Sequence, residues 1–167
     1  SLNQLVSDAL TKLAAALVAI DSVNPALVPG GAGEREIAFF VADWCANNGL
    51  DVEILGTERP SVVATKRGSG GGRSLLLNGH LDTVGVVGME HPFAGRVRDG
   101  RLHGRGAYDM KGALAAALVA ARQAREEKFA GDVVVACVID EELASAGTER
   151  LAATLVLVLL LLISNDV

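Results

Sequence analysis

The chain has 167 residues, of which 50% are hydrophobic, and its formal net charge is −5. A chain of this length forms one compact domain, and an acidic balance without a basic stripe argues against a nucleic-acid-binding protein. Nothing at the N-terminus is typical of a secretion signal, so the protein is expected in the cytoplasm.

Two helices are predicted at the start of the chain. Apolar side chains recur at helical spacing over residues 2–20, and this first helix ends before Asn24-Pro25. The second helix is the clearest in the chain, because five apolar side chains share one face before Gly49 ends it. These five are Ile37, Phe40, Val41, Trp44 and Cys45.

Short strands are predicted next. Three of them lie over residues 51–55, 61–66 and 74–80. The run GSGGG before the third strand is typical of a hairpin loop. Asp99-Gly100 indicates another hairpin, because it is flanked by the short segments 93–97 and 101–103.

An alanine-rich helix and a buried strand complete the predicted elements. The helix covers about residues 109–128 and has Leu114, Leu118 and Ala121 on one face. Residues 133–139 form a continuous, mainly β-branched apolar run, which is the pattern of a strand covered on both faces. Strands that alternate with helices in this way predict an α/β sandwich with a largely parallel central sheet.

The two cysteines, Cys45 and Cys137, lie inside apolar segments and do not have the CxxC spacing of a metal or redox site. This placement is typical of buried thiols in a reducing compartment. We therefore expect neither cysteine to be reactive.

Polar side chains follow the third strand in the segment NGHLDTV. Ligands of such sheets gather beyond the carboxyl ends of the strands. His80 and Asp82 are two residues apart, so an extended backbone would point both side chains the same way. This suits a metal-bound imidazole whose other nitrogen is held by a carboxylate. A lone H-x-D pair is weak evidence, and a purely structural role stays open.

Two further acidic positions have alternative explanations. Asp109 stands in GRGAYDMKG before the alanine-rich helix and could cap it, whereas a dinucleotide loop would need glycine at that position. Asp140, Glu141 and Glu142 follow the buried strand. Three adjacent acids could instead mark a solvated helix start, which the helix dipole would favour.

Taken together, the stretches GHLDTV, GRGAYDMKGALAA and DEELASAGT resemble the dinuclear-zinc amidohydrolase family. Its members include acetylornithine deacetylase, succinyl-diaminopimelate desuccinylase, aminoacylase and carboxypeptidase G. The stretches have the family's order, with 29 residues from His80 to Asp109 and 33 from Asp109 to Glu142. The resemblance covers roughly residues 1–153 and implies a zinc-peptidase-like three-layer sandwich.

The resemblance also implies a role for each matching residue. His80 resembles the ligand of one zinc ion, with Asp82 orienting its ring. Asp109 resembles the carboxylate that bridges both ions, and Glu142 a ligand of the second. Glu141 resembles the general base that accepts a proton from the metal-bound water. No chemical role is implied for the acid that precedes it, Asp140.

The implied reaction is hydrolysis of an amide bond in an N-acyl amino acid or a small peptide. Two zinc ions would lower the pKa of a bound water toward about 7 and polarise the scissile carbonyl. Cobalt or manganese could replace zinc, because the ligand types do not distinguish them. A small-molecule substrate is expected, without nucleic acid or membrane, and a homodimer stays an open alternative.

The C-terminal part departs from the family's pattern. Residues 1–154 are expected to be the N-terminal part of the catalytic domain, and residues 155–167 an anomalous apolar tail. Nine apolar residues without a break, 155–163, are too few for a bilayer-spanning helix of about 20. The family's later carboxylate-proline motif, lid domain and final histidine have no match here. Asp166, His91 and His103 are therefore given no role.

Without those later ligands, each zinc ion would have only two protein ligands, whereas a catalytic zinc normally has three. Three interpretations stay open. The chain is the truncated first part of a hydrolase, or a metal-poor binding or structural domain of the same fold, or one half of an assembly whose partner supplies the missing ligands.

Overall fold

The structure is a computed structural model that describes residues 2–124 and 129–154. In chain order its elements are α1 (Leu2–Ala19), α2 (Arg35–Asn47), β1 (Asp51–Leu55), β2 (Ser61–Lys66), β3 (Leu75–His80), β4 (Arg96–Arg98), β5 (Arg101–His103), α3 (Gly112–Gln123) and β6 (Val133–Val138). A further helix includes residues 146–154. The predicted tail, residues 155–167, lies outside the described residues.

The central sheet has four strands in the order β1-β2-β6-β3. The predicted α/β class is confirmed, but only β3 and β6 form a parallel pair, while β1–β2 and β2–β6 are antiparallel. The reason lies in the connections. A short link such as residues 56–60 joins antiparallel neighbours, whereas the parallel pair needs the long crossover that contains α3.

The predicted hairpin at GSGGG is wrong, because β6 lies between β2 and β3 in the sheet. The glycines instead pass close to the segment that leads into β6. The Gly68 N–H donates to the Asp132 carboxylate at 2.8 Å, and a side chain at Gly68 would collide with the Gly131 carbonyl. The predicted hairpin at Asp99-Gly100 is confirmed as the β4–β5 pair, and both turn residues have the positive φ that such turns require.

The hydrophobic core lies between one face of the sheet and the helices α1, α2 and α3. The predicted apolar faces account for it: Leu17, Ile37 and Leu118 are all fully buried. On the opposite face, Leu151 of the 146–154 helix packs against β6. The described residues thus form helices on both faces of one sheet, as the sandwich requires.

The buried thiols are confirmed, since Cys45 and Cys137 are both free and fully buried in this core. Burial raises the pKa of the Cys45 thiol to about 12. Within residues 2–124 and 129–154, none of the helices has the length and apolarity needed to cross a membrane.

Candidate metal centre

The parallel pairing of β3 and β6 brings two predicted site segments together. His80 lies opposite Val138 in the register, and the Leu81 N–H donates to the Val138 carbonyl at 2.7 Å. The chain segments that follow the two strands therefore leave the same edge of the sheet side by side. This places Asp82 next to Glu141 and Glu142.

His80 is held by its Nδ1 atom. Its side chain is only 4% exposed, and Nδ1 lies 2.9 Å from the Asp82 backbone oxygen and 3.6 Å from the carboxylate Oδ1 of the same residue. A backbone carbonyl can only accept, so Nδ1 carries a proton that it donates. Nε2 is left facing the cleft, 3.1 Å from Asp109 Oδ1.

The charge of His80 depends on these neighbours. Burial by itself lowers the pKa of the imidazole, but the contacts with Asp82 and Asp109 outweigh it and raise the pKa to about 9. Below this pKa the ring of the metal-free protein is an imidazolium between two acids. A cation that binds Nε2 would replace this proton.

Asp109 does not cap a helix. It lies in an irregular turn, Ala107–Lys111, with φ −121° and ψ 102°, and α3 begins only at Gly112. The fully buried Lys111 anchors this turn, because its Nζ donates to the Ile20 carbonyl at 2.6 Å. The predicted start of the helix was therefore three residues early, and the Asp109 side chain is 69% exposed toward the cleft.

The Asp82 carboxylate, expected to orient the His80 ring, has other partners as well. It is fully buried and accepts hydrogen bonds from Glu141 N at 3.0 Å and Glu142 N at 3.2 Å. One buried acid therefore fixes the backbone of both glutamates. Because the helix includes residue 146 but not 141–144, these glutamates are not in its first turn.

The structure brings three predicted ligands together. One ligand atom each from His80, Asp109 and Glu142 lies within 4.8 Å of the other two. Glu141 Oε2 is 3.6 Å from His80 Nε2. Burial raises the pKa of Glu142, and the surrounding carboxylates add to this effect against the opposing charge of His80. One imidazole nitrogen and two carboxylates in such a group fit one divalent cation or a closely spaced pair.

The cluster opens into a cleft of about 290 Å³. Asn78, Met110 and Val138 contribute to its walls beside the predicted site residues. His91 and His103, which were given no role, lie in a loop and in β5. Among the described residues, the only group of three potential ligands found is the one above.

A second layer of polar residues lies behind the cluster and was not predicted. Asn24, Glu34 and Asp140 are buried and accept hydrogen bonds from Arg59. Asn24 follows the first helix in the sequence, but the two carboxylates that its side chain contacts are 58 and 116 residues away along the chain. The sequence offers no local pattern that pairs residues at such separations.

Known proteins share this architecture. A curated relative, N-formyl-4-amino-5-aminomethyl-2-methylpyrimidine deformylase of Halalkalibacterium halodurans, is 34% identical over 144 residues, covering 80% of this chain. Human carnosine dipeptidase 1 has 26% identity and a TM-score of 0.62 over 89% of the chain. An M20 family metallo-carboxypeptidase of Sulfolobus solfataricus has 21% identity and a TM-score of 0.67 over 80% of the chain.

A fourth similar protein is a dinuclear metal-binding peptidase of the M20 family from Bacillus subtilis. It has 21% identity and a TM-score of 0.64 over 92% of the chain. This chain spans about a third of the relatives' own length: 34% of the deformylase, 35% of the dipeptidase and 30% of the carboxypeptidase.

The profile of peptidase family M20/M25/M40 matches residues 76–163, which is more than half of the chain. The match begins in β3 and includes the segments that carry His80, Asp109 and Glu142. On this evidence the chain belongs to peptidase family M20/M25/M40.

Proposed function

We propose that this chain carries the first part of the active site of a metal-dependent hydrolase that cleaves amide bonds in N-acyl amino acids or small peptides. The observation that carries the proposal is the group formed by His80, Asp109 and Glu142, with Glu141 beside it. Each lies where a strand or turn ends at one edge of the sheet, which is where α/β enzymes bind their ligands.

The charge balance around the cluster supports a cationic occupant. Six carboxylates are linked by hydrogen bonds or lie together there, against two cationic side chains, Arg59 and His80. The six acids are Glu34, Asp82, Asp109, Asp140, Glu141 and Glu142. An excess of negative charge in a partly dry cleft is neutralised best by divalent cations, and two zinc ions would supply about four positive charges.

In the proposed site, His80 Nε2 and the Glu142 carboxylate would bind different ions and Asp109 would bridge them. Bound zinc, or cobalt or manganese in its place, supplies Lewis-acid chemistry that polarises the scissile carbonyl and acidifies water. Asp82 keeps the His80 ring in the tautomer that leaves Nε2 available.

Glu141 is the proposed general base. Its carboxylate is half exposed and lies 3.6 Å from His80 Nε2, so it faces the cleft rather than the core. From there it can accept a proton from the attacking water and pass it to the leaving amine. The hydrogen bond from its backbone N–H to the buried Asp82 holds this part of the chain in place.

The relatives indicate which substrates to test. A deformylase and a dipeptidase are both similar to this chain, and both names describe cleavage of a carbon–nitrogen bond in a small molecule. N-formyl, N-acetyl and N-succinyl amino acids and unmodified dipeptides therefore form the initial panel. The protein that contains these residues is expected to cleave at least one of these classes.

The metal content of the purified protein tests the site. We expect zinc to bind after loading, and we expect replacement of Glu142 by alanine to reduce it. Zinc uptake by the chain alone is expected to be weak, because these residues offer each ion only two ligands. A protein that takes up no zinc, cobalt or manganese would instead be a metal-poor domain, and the proposal would fail.

The Glu141→Gln substitution tests the catalytic step. In the protein that contains these residues, loss of the general base is expected to lower kcat about 10²- to 10⁴-fold while metal content stays unchanged. The matched control is Glu149→Gln, because Glu149 is an exposed acid on the 146–154 helix. Equal activity in both variants would remove Glu141 from the mechanism.

A further inference from the structure

Asn24 lies between the two chain segments that carry the site. It is fully buried, and the segment around it runs beside residues 81–83, with Asn24 N donating to the Thr83 carbonyl at 2.9 Å. Its side-chain Nδ2 donates to Asp82 Oδ2 at 2.8 Å and to Asp140 Oδ1 at 2.9 Å. One amide group thus joins the acid that follows β3 to the acid that follows β6.

The other end of the Asn24 side chain is also fully used. Its Oδ1 accepts from Ala26 N at 2.9 Å and from Arg59 Nη2 at 3.1 Å. With two donors and two acceptor positions occupied, the orientation of the amide is fixed. The reverse orientation would place its oxygen against two carboxylates and its NH₂ group against two donors.

Arg59 and Glu34 hold this arrangement from behind. The Arg59 guanidinium forms a two-bond pair with the fully buried Glu34, with Nε donating to Oε2 at 2.8 Å and Nη2 to Oε1. Arg59 Nη2 also reaches Asp140 Oδ1 at 3.2 Å. A bidentate pair of this kind has a defined geometry, so Asp140 and Asn24 share a rigid neighbour.

The backbone conformation of Asp140 links the contacts of its carboxylate to the position of the two glutamates that follow. Asp140 has φ +62°, in the left-handed region, which aspartate and asparagine tolerate better than most residues. The chain turns at this residue, and the next two N–H groups, of Glu141 and Glu142, point at Asp82. Fixing the Asp140 side chain therefore helps to fix the direction of both glutamates.

We propose that Asn24 is a positioning residue that sets the spacing between the His80–Asp82 segment and the Glu141–Glu142 segment. It acts through the Asp82 and Asp140 carboxylates and touches neither a metal ion nor substrate. Its effect on metal binding rests on the function proposed above, whereas its effect on the backbone does not. The two effects can therefore be measured separately.

The test compares Asn24→Ala with Asn48→Ala in the full chain. Asn48 is the control, because its side-chain amide also donates a hydrogen bond, but to the Trp44 carbonyl at the end of α2 and not at the site. In the metal-free Asn24→Ala variant, we expect the Glu141 and Glu142 amides to exchange with solvent about tenfold faster, while the amides of β6 keep their wild-type rates. Asn48→Ala should change neither.

The second readout is the binding of Co²⁺ alone. Direct partners of metal ligands typically contribute 10- to 100-fold to affinity. Asn24 acts one residue further from the ligands, through Asp82 and Asp140, so Asn24→Ala should weaken Co²⁺ binding about tenfold and alter its absorption spectrum. Unchanged exchange rates at Glu141 and Glu142 in folded Asn24→Ala protein would overturn the proposal. If the wild-type chain binds no Co²⁺, the metal site fails, and the exchange rates still decide the role of Asn24.

A second variant covers the case in which Asn24→Ala does not fold. Asn24→Asp keeps an oxygen for Ala26 N and Arg59 but replaces the two donors with an oxygen that faces Asp82 and Asp140. The 22–26 turn should survive, and the amides of the two glutamates should again lose protection. Wild-type exchange in this variant would count equally against the proposal.

Discussion

Replacing Asp82 by asparagine is expected to destabilise the protein strongly, although the two side chains have the same shape. The Asp82 carboxylate is fully buried and accepts three hydrogen bonds. Oδ2 receives Asn24 Nδ2 at 2.8 Å and Glu142 N at 3.2 Å, and Oδ1 receives Glu141 N at 3.0 Å. An asparagine has one acceptor oxygen instead of two.

The cost follows from which bonds survive. The best orientation of the new amide places its oxygen at the Oδ2 position and its NH₂ group against the Glu141 N–H. The charge-assisted hydrogen bond from Glu141 N is then lost, and this buried N–H is left without an acceptor. The two remaining hydrogen bonds are weaker, because their acceptor is now a neutral amide oxygen. Hydrogen bonds to charged groups contribute about 1.5–3 kcal/mol each, so the free energy of unfolding should fall by about 2–5 kcal/mol.

Urea unfolding followed by circular dichroism measures this change, and Asp132→Asn is the matched control. Asp132 also accepts a backbone and a side-chain bond, from Gly68 N and Arg67 Nη1. Its side chain is 29% exposed, so water can replace a lost partner, and its substitution should cost less. Equal losses in the two variants would refute the role given to the buried carboxylate.

Two further predictions concern the packing of the hydrophobic core and the charge of His80. Leu118 is fully buried, so Leu118→Ala should lower the free energy of unfolding by about 2–5 kcal/mol in urea, whereas Leu5→Ala at a 69% exposed position should change it by under about 0.5 kcal/mol. The pKa of His80 is raised from 6.5 to about 9 in the metal-free fold. Its imidazolium therefore stabilises the fold fully below pH 6.5, and this contribution disappears as the pH rises through 9. Unfolding free energies at several pH values should show the loss in wild type and His91→Gln, but not in His80→Gln.

Sequence patterns predicted the elements well wherever burial is periodic or continuous. Ile37, Val41 and Cys45 follow the helical period, and all three are fully buried in α2. The continuous apolar run at residues 133–139 contains the inner strand β6 (Val133–Val138), which has neighbours on both sides. In both cases one physical quantity, the removal of apolar surface from water, determines the pattern and the structure alike.

The same patterns failed where partners lie far apart in the chain. The glycine run before β3 has the composition of a hairpin loop, yet Gly68 and Gly72 pass close to Gly131, and the strand that follows is not paired with β2. Asp109 follows the pattern of a helix start, but the buried Lys111 holds the preceding turn in an irregular conformation. Neither strand order nor a buried lysine's partner is encoded in local spacing.

The three adjacent acids after β6 show why a sequence motif can indicate a site without revealing which buried residues hold that site in place. In sequence, Asp140, Glu141 and Glu142 are chemically almost equivalent, and a run of like charges would repel itself. In the structure, the positive φ of Asp140 separates them: its carboxylate contacts Arg59, whereas Glu141 lines the cleft and Glu142 groups with His80 and Asp109. The Asp82 carboxylate accepts hydrogen bonds from the backbone N–H groups of both glutamates. The segment is therefore held through its backbone, and the glutamate side chains remain available to the site. The pKa of Glu142 is raised first by burial and then by the neighbouring carboxylates, and a bound cation would offset both effects.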